Sequence, residues 1–365
     1  MLHNIFSATL AILFLAGVPA AAQVRIDFET YDPVSTLVVP EHPLTHASIP
    51  FVDVHSHQRD MSPGRLQELV RAMDTLNMRV MVNLSGGNGE SLQQKTAAIQ
   101  QHFPGRFLVF ANIDFDGIGS ENWTRNAVRQ LEEDVRNGAA GLKIFKNLGF
   151  SVNDRSGRRV PVDDPRLDPI WKKCGELNIP VLIHTADPAP FWEEPGENNE
   201  RWLELITHPR RQRGPDNPVP WEQLIEEQHQ MFRKHPETTF IAAHFGWYAN
   251  DLATLDSLLT DLPNVMVEFG AVIAELGRQP RMALKFFTKH QDRILFGKDS
   301  WVPEEYTTYF RVLETEDEYF PYHKKYHAFW PMYGLGLPED ILKKVYYKNA
   351  LRIIPAIDER LFPRQ

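Results

Sequence analysis

Short apolar, β-branched runs recur along the chain, each closed by turn-forming residues. They occupy 51–57, 79–85, 107–113, 141–145, 180–185, 239–245, 264–269 and 293–300. Between them the pattern changes to helical periodicity. In "SPGRLQELVRAMDTLN" Ser62 stands as an N-cap with Pro63 at the first helical position, and "NWTRNAVRQLEEDVRNGAA" is a second amphipathic stretch. Successive runs start 25–39 residues apart, with one gap of 59. This is the period of a strand–helix unit. Eight such units in series over about 250 residues predict a (β/α)8 TIM barrel of parallel strands. The runs are apolar almost throughout, as parallel strands covered on both faces must be. An open doubly wound sheet is the alternative, but no Gly-rich dinucleotide turn follows the first run.

The barrel is expected over 51–365, preceded by an extended N-terminal arm over 23–50 that is Pro-rich and carries His42 and His46 as surface residues. The arm is read as lying on the barrel or reaching a neighbouring subunit, so a homo-oligomer is one expectation. Residues 1–22 read as a signal peptide. An apolar run from Ile5 to Val18 is followed by Ala20, Ala21 and Ala22 before Gln23, although no Lys or Arg precedes the run. The run is too short for the roughly 20 apolar residues of a membrane span. Export to the periplasm or medium is therefore expected, with no stable membrane insertion after cleavage. The long gap holds a Pro-, Trp- and charge-rich loop over 187–221, after the fifth run. A loop of that length at the C-terminal face suits a lid or substrate wall.

A formal net charge of −9 argues against nucleic-acid binding and leaves a small molecule as the expected partner. The one cysteine, Cys174, falls on the apolar face of a helical stretch with Leu167, Ile170, Trp171 and Leu177. It excludes an internal disulfide and reads as a buried apolar residue, not a nucleophile.

The candidate chemistry sits at the ends of the runs. Of 14 histidines, His55 and His57 close the first run, His184 the fifth and His244 the sixth, and Asp299 closes the eighth. The C-terminal ends of barrel strands meet at one mouth. Residues two apart on a strand share a face, so His55 and His57 project together. Neutral imidazoles with a carboxylate make a ligand set for a divalent ion, zinc first. Lys143 lies inside the fourth run on the inward face. Three roles are open to it: pairing with a substrate carboxylate, pairing with Asp299, or carbamylation to bridge two metals. A core salt bridge is the plainer reading. Arg59, Lys146, Trp192, Trp247, Glu268, Lys298 and Trp301 stand at strand ends or in the loops beyond them, and are candidate substrate contacts.

The ordered set "DVHSH", "GLKIF", "VLIHT", "FIAAHFG", "ILFGKDS" and "LKKVYYKNALRII" resembles the metal-dependent amidohydrolase superfamily. It is closest in pattern to the amidohydrolase-2 group, which includes aminocarboxymuconate-semialdehyde decarboxylase, hydroxybenzoate decarboxylases and lactonases. The resemblance implies a metal held by His55, His57, His184 and Asp299. It implies that His244 is a catalytic acid/base or a ligand to a second ion, and that Lys143 occupies the post of a bridging carbamylated lysine. Asp299, His244 and Lys143 are thus the expected catalytic residues, with one ion, or two if Lys143 is carbamylated. Lys298 departs from the family, which more often has a small or hydroxyl residue there. The expected activity is hydrolysis of a small amide-like C–N or lactone bond by metal-activated water. Non-oxidative decarboxylation of an aromatic or dienoic acid is the alternative. A phosphodiesterase or a non-catalytic binding protein is less well supported.

Overall fold

Eight parallel strands form one sheet in sequence order: β1 (Phe51–Ser56), β2 (Met78–Asn83), β3 (Phe107–Asn112), β4 (Ala139–Ile144), β5 (Val181–Ile183), β6 (Phe240–Ala242), β7 (Val265–Glu268) and β8 (Ile294–Leu295). Val54 N–H donates to Phe296 C=O at 3.0 Å and Asp299 N–H to His55 C=O at 2.7 Å, so β8 returns to β1 and the ring closes. The computed structural model describes residues 27, 30–214 and 219–363. Helices alternate with the strands as the periodicity predicts. Helix Pro63–Leu76 turns Leu66, Leu69, Met73 and Leu76 inward, starts at Pro63 and ends on left-handed Asn77. Cys174 is buried in helix Asp168–Glu176, and burial pushes its thiol pKa up.

β5, β6 and β8 are shorter than their apolar runs. The reason is conformational. Non-glycine residues with positive φ include Ala186, His244, Phe245, Trp247, Ala271 and Asp299, all just past strand ends. A left-handed residue other than glycine costs about 1–2 kcal/mol, and such strain collects where side chains must be aimed. At β6 the chain leaves the ladder in a turn over Ala243–Trp247, with φ near 57°, 56° and 59° at His244, Phe245 and Gly246.

The chain divides into two units, Met1–Leu37 and Val38–Gln365. In the first, residues 30–37 are extended coil with Val34 and Leu37 exposed; the expected signal peptide lies outside the described residues. In the second, Ala47 and Ile49 are buried, exposed His42 contacts Asp317 through Nδ1 at 2.6 Å, and His46 is exposed. No helix among the described residues is long and apolar enough to cross a membrane.

Candidate metal centre

β1 carries Asp53 and His55 inward. Asp53, fully buried, accepts from His55 N–H (2.9 Å), Lys298 N–H (3.2 Å) and Tyr306 O–H (2.5 Å). It clips the end of β1 to the loop after β8. Burial raises its pKa to about 6, against the pull of these hydrogen bonds.

The orientation of each histidine is fixed from behind. His55 Nδ1 donates to Glu268 Oε1 at 2.8 Å. His244 Nδ1 faces the carbonyl of Gly270 at 2.7 Å, and His184 Nε2 faces the carbonyl of Ala186 at 3.1 Å. Those oxygens only accept, so in the neutral rings the proton sits on the nitrogen that faces them. The other nitrogen keeps its lone pair. The lone-pair nitrogens of His184 (Nδ1) and His244 (Nε2) are 3.3 Å apart. His55 Nε2 lies 3.3 Å from Nε2 of His57, whose Nδ1 meets the Ser85 hydroxyl, a group that donates or accepts. Asp299 Oδ1 lies 3.6 Å from both nitrogens of this second pair. The lone pairs of His184 and His244 cannot hydrogen-bond to one another. The separation is instead the edge of a tetrahedron of ligands about 2.0–2.1 Å from one cation. Burial pushes His57 down to about 3, and lowers His184 and His244 as well, so protons do not fill the gaps.

His55, His57 and Asp299 form one group that could hold a metal ion, and His55, His244 and Glu268 another. In the second, Glu268 sits behind the imidazoles. It accepts from His55 Nδ1, His244 N–H (2.9 Å) and Gly270 N–H (2.6 Å). A Cβ on Gly297 would stand 2.3 Å from Glu268 Oε2, so only glycine leaves room for this carboxylate. Burial acts to raise Glu268, but the imidazoles and N–H donors hold it at about 2. Asp299 is held at about 2 in the same way, with His55, His244 and His57 outweighing burial.

Lys143 is 1% exposed, and its Nζ is one of the few buried polar atoms with no hydrogen-bond partner among the described residues. Burial lowers its pKa to about 8. Of the readings open to Lys143, neither the pairing with Asp299 nor a core salt bridge is formed among the described residues.

The family model for Amidohydrolase (Amidohydro_2) matches residues 52–355. The chain belongs to the amidohydrolase family. Similar solved structures agree in fold. A putative amidohydrolase from Staphylococcus aureus has 16% identity and a TM-score of 0.55, over 84% of this chain and 100% of that one. A 2,6-dihydroxybenzoate decarboxylase has 15% identity and a TM-score of 0.51, over 84% and 99%. A 4-oxalomesaconate hydratase from Rhodopseudomonas palustris has 14% identity and a TM-score of 0.51, over 85% and 97%. No curated protein matches the sequence significantly.

Beside the imidazoles this amidohydrolase has a cavity of about 370 Å³ whose wall includes His184, His244 and Asp299. Of the expected substrate contacts, Lys146, Trp247 and Lys298 line it. Trp247 stacks on His244 (ring centroids 4.5 Å, 25°) and donates to Thr185 C=O at 2.7 Å. The other four lie elsewhere. Trp192 packs on Phe150 and donates to Val219 C=O at 2.9 Å. Trp301 meets Tyr306 edge-on, Arg59 is exposed, and Glu268 is buried behind the histidines.

The loop over 187–221, expected as a lid or substrate wall, does supply part of the wall, and the segment after β8 that supplies more of it was not foreseen. Asp187, Phe191, Glu204 and Arg211 come from the loop after β5. Tyr322, Lys324, Tyr326 and His327 come from a second excursion, 315–338, between helix Tyr306–Glu314 and helix Glu339–Lys343. The aromatic and basic run "FPYHKKYHAFW" was the available signal. Ser85, whose Oγ meets His57 Nδ1 at 3.0 Å, was also missed.

Proposed function

We propose that this amidohydrolase is an exported, metal-dependent hydrolase of a small amide-like C–N or lactone bond, with zinc as its metal. The observation that carries the reading is Lys143. Its amine is buried and unpaired beside two convergent lone-pair groups. A neutral amine near pH 8 takes up CO2 as a carbamate, which would bridge the two groups. When bound, a divalent ion supplies Lewis acidity, activating water and polarising a carbonyl. His55, His57 and Asp299 are the residues that would hold it, with His184 and His244 at a second position that Lys143 would complete. Asp299 orients the attacking water and takes its proton. The proton that Asp299 takes then passes to the leaving group, and Trp247, packed on the His244 ring, restricts water there.

The rival reading is decarboxylation, as in the dihydroxybenzoate enzyme that shares the fold. It is favoured by the cationic side chains Lys146 and Lys324 in the cavity wall, which suit an acid. A screen of amides, lactones and aromatic or dienoic acids decides between them. Hydrolysis products without CO2 support the proposal, and CO2 release from an acid overturns it. N-terminal sequencing of the exported protein tests the leader, with Gln23 as the expected first residue.

A further inference from the structure

The cavity wall has a charge arrangement that neither the metal centre nor the choice of reaction explains. Three of its carboxylates each carry two cations; at Glu204 the cations Arg201 and Arg211 are balanced by Glu275, and the other two are Glu305 and Asp187. Glu305 is met by Lys298, which is 1% exposed, and by Lys324 at 2.8 Å. Asp187 is met by Lys146 at 2.6 Å and by Arg213, whose Nε lies 3.0 Å away. Each of these two groups therefore has one positive charge in excess, inside a protein whose net charge is −9.

The donors are not shared equally. The three protons of Lys298 are all used, on Ser300 C=O (2.7 Å), Ser300 Oγ (3.2 Å) and Glu305. Lys298 neutralises Glu305 and can do nothing else. Among the described residues Lys324 bonds only to Glu305, which leaves it a donor at the cavity. On the other side Arg213 stacks over Phe150 (4.8 Å) and engages Asp187, but is not in the cavity wall. Lys146, which is in the wall, bonds only to Asp187 and is 41% exposed. In both groups one cation satisfies the acid and leaves the more exposed of the two, a lysine, with spare donors. Lys146 follows β4, and Lys298 and Glu305 follow β8. In a ring of eight, those strands stand opposite one another. His184, His244 and Asp299 line the same cavity.

We propose that the cavity takes a small dianion, with one carboxylate at Lys146, the other at Lys324, and the reacting bond over the histidines between them. This rests on the cavity's being the substrate site, and not on which bond is broken there. Lys298 and Arg213 are positioning residues. They hold Glu305 and Asp187 so that these acids do not repel the ligand.

The test is equilibrium binding without turnover. Succinate, glutarate and adipate would be titrated calorimetrically into the full chain, metal-loaded and chelated, alongside the monoanion glutaramate and neutral glutaramide. At least one dicarboxylate is expected to bind both forms. Glutaramate should bind more weakly than glutarate, and glutaramide not at all. Lys324→Met and Lys146→Met should each weaken the dicarboxylate by about tenfold or more, the size of one charged hydrogen bond, and reduce its salt dependence. Exposed Lys285→Met, on helix Pro280–Lys289, is the control and should change nothing. Circular dichroism verifies folding of each variant. Equal affinity for glutarate and glutaramide, no binding of any diacid, or unchanged affinity in both folded lysine variants overturns the proposal. If diacids bind as expected and the screen then finds CO2 release, the hydrolase reading fails while this one stands.

Discussion

The floor and the wall of the cavity are built on opposite principles. The floor is carried by strand ends. Three of its imidazoles, with His55 and His244 fully buried, are held from behind by Glu268, Gly270 and Ala186. The wall is carried by two long excursions and held by ion pairs. Glu204 joins Arg201 and Arg211, and Arg201 also meets Glu275. Fixed hydrogen bonds from rigid elements set atomic positions closely, which a metal requires. Ion pairs between loops hold a shape and a charge. The floor thus determines which chemistry is available, and the wall determines what reaches it.

Substitutions in the two regions should fail differently. Asp299→Asn, in the floor, should lower turnover by about a thousandfold, the usual size for a lost proton acceptor, while leaving the melting temperature nearly unchanged. Equal losses of stability and activity would erase the distinction. Arg201→Met, in the wall, removes the ion-pair partner of buried Glu275 and one of the two partners of Glu204, and should cost about 3–5 kcal/mol of stability in urea denaturation. A wall held by packing alone would lose far less.

Lys143 is a floor residue that breaks the floor's own rule, because its Nζ has no hydrogen-bond partner among the described residues. Its folded pKa, about 8, lies below the 10.5 of a free lysine. The folded state therefore binds fewer protons than the unfolded state between those values, and the metal-free chain should gain stability as pH rises through that window. Lys143→Met should remove the dependence and stabilise the metal-free chain by about 3 kcal/mol at pH 7. A variant no more stable than wild type would mean that the amine has a partner.

His229, on helix Trp221–Lys234 away from both regions, calibrates the smallest effect. Burial lowers its pKa to about 4. Its contribution is complete above the free histidine value of 6.5 and is lost as pH falls towards 4. His229→Phe should flatten the acid limb of the stability profile by up to about 1.4 kcal/mol per pH unit, the slope of one proton. An unchanged limb would assign the acid loss to other groups.

The same division explains what could be read from the sequence. Strand ends were legible because the apolar run locates the strand and the period of two fixes the face. That brought His55, His57, His184, His244 and Asp299 to one mouth before any coordinates. The left-handed turn over Ala243–Trp247 was not legible. Of its strained residues only Gly246 is a glycine, and tertiary contacts override the local preference of the others. Glu268 was found but given a substrate role. Its place behind His55 depends on space at Gly270 and Gly297, which no spacing rule reveals. The wall was least legible. Lys324 and Arg211 meet the cavity only because two irregular segments fold over it, and such paths carry no periodicity.

The central claim is that the lone pairs of His55, His57, His184 and His244 converge on a divalent cation. Metal content of the purified chain, by plasma mass spectrometry, tests it most directly. The account predicts one or two divalent ions per chain in the wild type, and a loss of at least one in folded His55→Ala. A chain that binds none on reconstitution, or a folded His55→Ala that keeps the full complement, would contradict it.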